Sequence, residues 1–119
     1  MPLVVRAFPL LPGKEEELQQ FAAELSGARG AETATFYDSF SVSRETWHLQ
    51  QTDHGALVIG VTEVAEPVQE IAQEYAASQR AFDRWFKDKV RELTGIDPDT
   101  QPLGPPAEQI FEFRARGRD

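Results

Sequence analysis

The chain has 119 residues and a mass of 13.4 kDa, with 40% hydrophobic and 10% aromatic residues and 12 basic side chains against 20 acidic ones, for a net charge of −8. That is the size of one domain, able to hide roughly two thirds of its unfolded surface; it is too apolar for disorder and too acidic to favour phosphate backbones or anionic lipid. The absence of cysteine excludes disulfides, thiolate metal sites and cysteine nucleophiles.

In chain order, Leu3-Val4-Val5-Arg6-Ala7-Phe8 is a β-branched and aromatic run closed by Pro9, read as a first strand with Arg6 at its centre. Pro12-Gly13 is a turn. From Lys14 to Leu25 the apolar residues Leu18, Phe21, Ala22 and Leu25 fall at helical spacing, with acids in the first turn where the helix dipole favours them. Residues 31–41 fit both a helix face (Phe36, Tyr37, Phe40) and a strand period; we read them as a short second helix. Val42 to Gln51 alternates as a strand, Trp47 and Leu49 pointing one way and Thr46, His48 and Gln50 the other. Thr52-Asp53-His54-Gly55 is a turn, and Ala56 to Val64 is a nearly continuous apolar strand, so 42–64 reads as a hairpin.

Glu66-Pro67 opens one long helix with proline at its first position, and Val68, Ile71, Ala72, Tyr75, Phe82, Phe86, Val90 and Leu93 trace its stripe, with a kink expected near residues 76–79. Gly95 caps it. Asp97-Pro98-Asp99 and Gly104-Pro105-Pro106 mark a loop, and Gln109 to Phe113 reads as a last strand. The domain spans 1–114; residues 115–119, with Arg116 and Arg118 following Arg114, form a basic, frayed tail.

This order is the ferredoxin-like βαββαβ unit with an extra short helix after helix 1, two helices covering one face of a four-stranded antiparallel sheet in an α+β domain. Leu3, Val5 and Ala7 are apolar, and so are Val4 and Phe8; Leu57, Ile59 and Val61 are apolar, and so is Val58. Both sheet faces therefore want cover, and a second copy is the simplest cover for the face without helices. The predicted partner is the chain itself, in a homodimer through the sheet face.

Val4-Val5-Arg6-Ala7-Phe8 followed by Pro12-Gly13-Lys14-Glu15-Glu16-Glu17-Leu18 resembles the strand, turn and helix that open members of the dimeric α+β barrel superfamily, which includes the antibiotic-biosynthesis monooxygenases. The hairpin from Arg44-Glu45-Thr46-Trp47-His48-Leu49 to Ala56-Leu57-Val58-Ile59-Gly60-Val61 resembles a family of small uncharacterised bacterial proteins of that fold. The resemblance implies a dimer and no specific reaction. That family tends to carry histidines on its second long helix, where this chain has Arg84-Trp85-Phe86 and none.

Four residues are candidates to line a ligand site: Arg6, Tyr37, Trp47 and His48. A guanidinium in mid-strand needs a partner when buried; Arg6 is either half of a structural pair, with Glu112 or Glu63, or an anchor for an anion or carbonyl. His48 is either a general base or a hydrogen-bonded structural residue. Arg80, Asp83 and Arg84 read as surface charges. Two histidines six apart match no metal spacing, and there is no G-x-G-x-x-G, P-loop or G-x-S-x-G, so no metal and no cofactor are expected. No apolar run approaches the about 20 residues of a membrane span. Arg6 and Pro9 interrupt the N-terminal run before Lys14-Glu15-Glu16-Glu17, which is unlike a signal peptide. The expectation is a cytoplasmic protein without nucleic-acid or membrane partners. Two functions fit: a non-catalytic dimer that binds a small organic ligand, or a cofactor-independent enzyme, monooxygenase-like or isomerase-like, acting on a small carbonyl or phenolic compound.

Overall fold

The structure is a computed structural model that describes residues 2–101 and 105–115. Its elements are β1 (Leu3–Pro9), α1 (Glu15–Ser26), α2 (Gly30–Ser39), β2 (Val42–Thr52), β3 (Gly55–Val64), α3 (Val68–Ala77) and α4 (Ala81–Thr94). The class is α+β, but the sheet has three antiparallel strands in the order β1-β3-β2, and the predicted four-stranded sheet is thereby corrected.

The missing strand is the one expected at Gln109–Phe113. Its approach to β1 ends after a single bridge, Arg6 opposite Pro106, and one hydrogen bond from the Ala107 amide to the Val5 carbonyl at 2.6 Å. Pro105 and Pro106 carry no amide proton, so the ladder cannot be seeded where the chain meets the strand edge. Residues 107–115 run on without joining a ladder of the described strands. Arg116, Gly117 and Arg118 of the predicted tail, and Gly104 of the predicted loop, lie outside the described residues.

The hairpin follows the sequence pattern. Thr52 pairs with Gly55 across a two-residue turn, and Gly55 takes φ +112°, which a side chain would strain. The Thr52 hydroxyl closes the turn, donating to the Gly55 carbonyl and accepting from the His54 amide. Pairing then runs Leu49 to Val58, Trp47 to Gly60 and Glu45 to Thr62, while β1 sets Phe8 against Val58, Arg6 against Gly60 and Val4 against Thr62. Side chains alternate along a strand, so these rows share one face. On it lie the helices: Phe8, Leu10, Trp47, Leu49 and Val58 pack with Leu18, Phe21 and Leu25 of α1, Phe36 of α2 and Phe86, Val90 and Leu93 of α4. The opposite face carries Leu3, Val5, Ala7, Leu57, Ile59 and Val61 without helical cover, Leu3 being 51% exposed.

The long helix expected from residue 66, with a kink near residues 76–79, is two separate helices, broken between Ala77 and Ala81. It starts at Val68, with Pro67 extended ahead of it, and the backbone leaves helical geometry at Ser78 and Arg80. Two charged side chains of α4 hold the break. Lys87, with no exposed surface, sends its ammonium to the carbonyls of Tyr75, Ala76 and Ser78 at 3.0, 3.2 and 2.7 Å. These are carbonyls at the C-terminus of α3 that no further helical turn satisfies. Asp83 is 2% exposed and accepts from the Ser78 hydroxyl and, at 2.8 Å, from Arg80 Nε. Asp83 is thus a buried acceptor for Ser78 and Arg80, not the surface charge its sequence position suggests.

Candidate functional site

Between the helices and the sheet lies a cavity of about 580 Å³. Its floor is the sheet row Arg6–Gly60–Trp47 and the next row Val4–Thr62–Glu45. Gly60 keeps this floor low: a Cβ there would sit 4.0 Å from Trp47 Cδ1, and any longer side chain would rise into the cavity between Arg6 and Trp47. The walls are aromatic and aliphatic, from Phe36, Tyr37 and Phe40 of α2, Ile71 and Tyr75 of α3, and Phe86 of α4. A mostly apolar concavity with few polar groups is the usual form of a small-molecule site.

The polar groups converge on Glu45, whose sequence context does not single it out. Its Oε2 accepts from the Tyr37 hydroxyl and from Trp47 Nε1 at 2.8 Å; its Oε1 accepts from the Thr62 hydroxyl at 2.8 Å. A carboxylate has about four acceptor positions. Among the described residues both positions on Oε2 are taken and one on Oε1 is taken, which leaves Oε1 one acceptor position. The period-2 pattern puts Glu45 on the same face as Trp47, and that is the one signal the sequence carries; its three donors come from α2, β2 and β3.

Burial pushes the Tyr37 hydroxyl far above the usual phenol range, and the charge of Glu45 and the hydrogen bond to it add to the shift. Tyr75 is displaced the same way, by burial first and then by Glu45. Both phenols are neutral donors. Desolvation lowers the pKa of the Arg6 guanidinium from its ordinary value without bringing an arginine near neutrality.

Of the four sequence-derived candidates, Arg6, Tyr37 and Trp47 line the cavity. His48 lies on the opposite face, with its Nε2 3.0 Å from the Thr46 hydroxyl. The two acids expected near Arg6 are placed elsewhere by the sheet. Glu63 belongs to the open face, in the row with Leu3 and Arg44. Glu112 is half-exposed on the extended C-terminal segment and pairs with Arg114 at 3.2 Å. Among the described residues no three His, Asp or Glu side chains are grouped to hold a metal, and no helix is long and apolar enough to cross a membrane.

The chain shares its fold with an L-rhamnose mutarotase from Formosa agariphila. The two superpose with a TM-score of 0.66 at 13% identity, over 96% of this chain and all of that one. At this identity the likeness concerns the α+β fold alone. No family model matches the chain, and no curated protein matches it.

Proposed function

We propose that this protein is a homodimer that binds a small organic molecule in the cavity above Gly60. The carrying observation is the largely apolar, aromatic chamber of about 580 Å³ whose floor presents one open acceptor position on Glu45 and the cationic side chain of Arg6. The ligand this chemistry fits has an apolar ring or face to lie against Trp47 and Phe36, a hydroxyl to donate to Glu45, and a carbonyl or anionic group for Arg6. Binding is favoured over proton abstraction because the Tyr37, Trp47 and Thr62 donors already occupy three acceptor positions of Glu45.

The dimer is supported by the uncovered apolar face of β1 and β3. An apolar sheet face left only half-buried, with Leu3 exposed, marks an interaction surface, and a two-fold axis covers both copies at once.

A second reading keeps the same site and adds turnover. A carboxylate, a guanidinium and neutral phenols in one desolvated chamber are sufficient for cofactor-independent isomerisation of a small carbonyl, phenolic or sugar compound. L-rhamnose, named in the fold neighbour, is the first compound to try.

The test uses 8-anilino-1-naphthalenesulfonate, which carries an aromatic body and one anion. Wild-type protein should bind it with enhanced fluorescence, and Gly60→Leu, folded by circular dichroism, should lose that binding. Undiminished binding by folded Gly60→Leu overturns the site. Saturation-transfer NMR of L-rhamnose anomers, with and without protein, separates the enzyme from the binder.

A further inference from the structure

Two phenols share the wall of the chamber, and they differ in one respect. The Tyr37 hydroxyl donates to Glu45. The Tyr75 hydroxyl makes no hydrogen bond among the described residues, although burial is the first cause of its raised pKa. A phenol withdrawn from water normally finds a partner, because an unmade hydrogen bond is costly there. Among the described residues the one sealed side-chain oxygen without a hydrogen bond is Asp99 Oδ1, so the unpartnered Tyr75 oxygen is open to the chamber that Tyr75 lines. Packing does not call for that oxygen. The ring meets Phe36, Phe40 and Phe86 at centroid distances of 6.1, 5.7 and 6.4 Å, edge to face, and a phenylalanine would make the same contacts.

We infer that Tyr75 is the specificity-determining donor of the chamber: its hydroxyl takes a neutral oxygen of the ligand, a hydroxyl or a carbonyl, while the ligand's anionic group lies at Arg6. The inference rests on the ligand site proposed above and adds which end of the ligand is uncharged. Three observations carry it. The donor is held in place. Lys87 accepts no freedom at this end of α3: its ammonium donates to the Tyr75 carbonyl at 3.0 Å and stands 5.5 Å from the centre of the Tyr75 ring. The donor also has a complement. Glu45 is the first charge that acts on the Tyr75 hydroxyl, and Glu45 Oε1 keeps one acceptor position, so a single ligand hydroxyl can accept from Tyr75 and donate to Glu45. The charges around the donor select against an anion. Glu45, Asp99 and Asp83 all act on the Tyr75 hydroxyl with a negative sign, and Arg84 alone opposes them. A carboxylate or sulfonate placed there would meet like charge, whereas the same group at Arg6 meets a cation.

The experiment measures equilibrium dialysis of 2-naphthol and 2-methylnaphthalene at pH 7, two uncharged compounds of one shape that differ by a hydroxyl in place of a methyl. Wild-type protein is expected to hold 2-naphthol about tenfold more tightly, and Tyr75→Phe to reduce that ratio about fivefold, the worth of one hydrogen bond. Melting temperatures give the second readout. Tyr75→Phe loses no hydrogen bond within the protein and should melt no lower than wild type; Tyr37→Phe gives up its bond to Glu45 and should melt lower. A ratio unchanged by Tyr75→Phe overturns the inference and makes the hydroxyl a water site only. Unfolding or a lowered melting temperature in Tyr75→Phe, with Tyr37→Phe unaffected, overturns it as well, because the hydroxyl would then be structural. Wild-type protein that binds the anionic naphthalene probe but does not prefer 2-naphthol overturns the role of Tyr75 and leaves the chamber standing. Wild-type protein that binds none of the three compounds overturns the chamber and the inference together.

Discussion

The indole Nε1 of Trp47 donates to Oε2 of Glu45 over 2.8 Å, between two residues of one strand that point to the same sheet face. This short loop of chemistry fixes the indole plane and orients the carboxylate, so that its second oxygen is free for Thr62 and for a ligand. The arrangement is held from above by Tyr37 of α2.

Glu45→Ala strands three donors at once. Each unsatisfied buried group costs about 1–3 kcal/mol, and relaxation and water entry recover part of it; the expected loss is about 2–4 kcal/mol. Urea denaturation with an unchanged m-value reads it. Glu45→Gln, which keeps an acceptor oxygen, should cost less than half as much and still weaken ligand binding. A loss in Glu45→Ala no larger than in Glu45→Gln would show that the three hydrogen bonds do not act together.

The chain has two tyrosines, and both are displaced upward, by burial first. A group whose folded pKa is raised contributes stability that is complete below its unfolded pKa, near 10, and that is lost as pH rises above it. Between pH 10 and 12 the native protein should therefore show no phenolate absorbance at 295 nm, and its stability should fall by up to about 1.4 kcal/mol per pH unit for each phenol. Phenolate appearing near pH 10 in folded protein contradicts the buried placement of Tyr37 and Tyr75.

The sign reverses at Asp99. Lys87 first and Arg84 second hold its carboxyl below the usual carboxylate range. Its stabilising share is present above the unfolded pKa, near 4, and disappears as pH falls through the lower folded value. The Asp99 carboxylate Oδ1 lies 2.7 Å from Lys87 Nζ, yet the three protons of that ammonium are directed at three carbonyls, so the contact supplies charge and not a fourth hydrogen bond. Asp99→Asn should flatten the acid limb of a stability-against-pH curve between pH 5 and 2 relative to wild type.

Lys87→Met removes a fully buried cation from the break between α3 and α4. The carbonyls of Tyr75, Ala76 and Ser78 lose their donor, and Asp99 loses one of its two counter-charges. Breaking such a group costs about 3–5 kcal/mol, a large share of the stability of a domain this size. Chemical denaturation measures the loss, and hydrogen exchange should place it in residues 68–80. A neutral substitution would mean that the break is held by packing alone.

Arg6→Met removes the cation that lines the floor of the chamber among the described residues. Affinity for the anionic naphthalene probe should fall about tenfold, near 1.4 kcal/mol. Undiminished affinity would take Arg6 out of the ligand site.

The sequence by itself determined what depends on neighbours a few residues apart. The period-2 alternation of 42–64 set the hairpin and its faces, and that alternation alone separates Trp47 from His48. Helical spacing set α1 and the two stripes of α3 and α4. Residues 31–41 fitted both a helix face and a strand period, and the structure decides for the helix. Only the tertiary structure decided the rest, because those features are made between distant segments. Glu45 is an ordinary strand acid until α2 and β3 bring Tyr37 and Thr62 to it. The gap in the stripe near residues 76–79 marks the place of the break between α3 and α4, but not its cause, a lysine of one half satisfying the carbonyls of the other. Gln109 to Phe113 has the composition of a strand, but a strand also needs an accessible edge, and the two prolines ahead of it withhold the amides that would have joined it to β1.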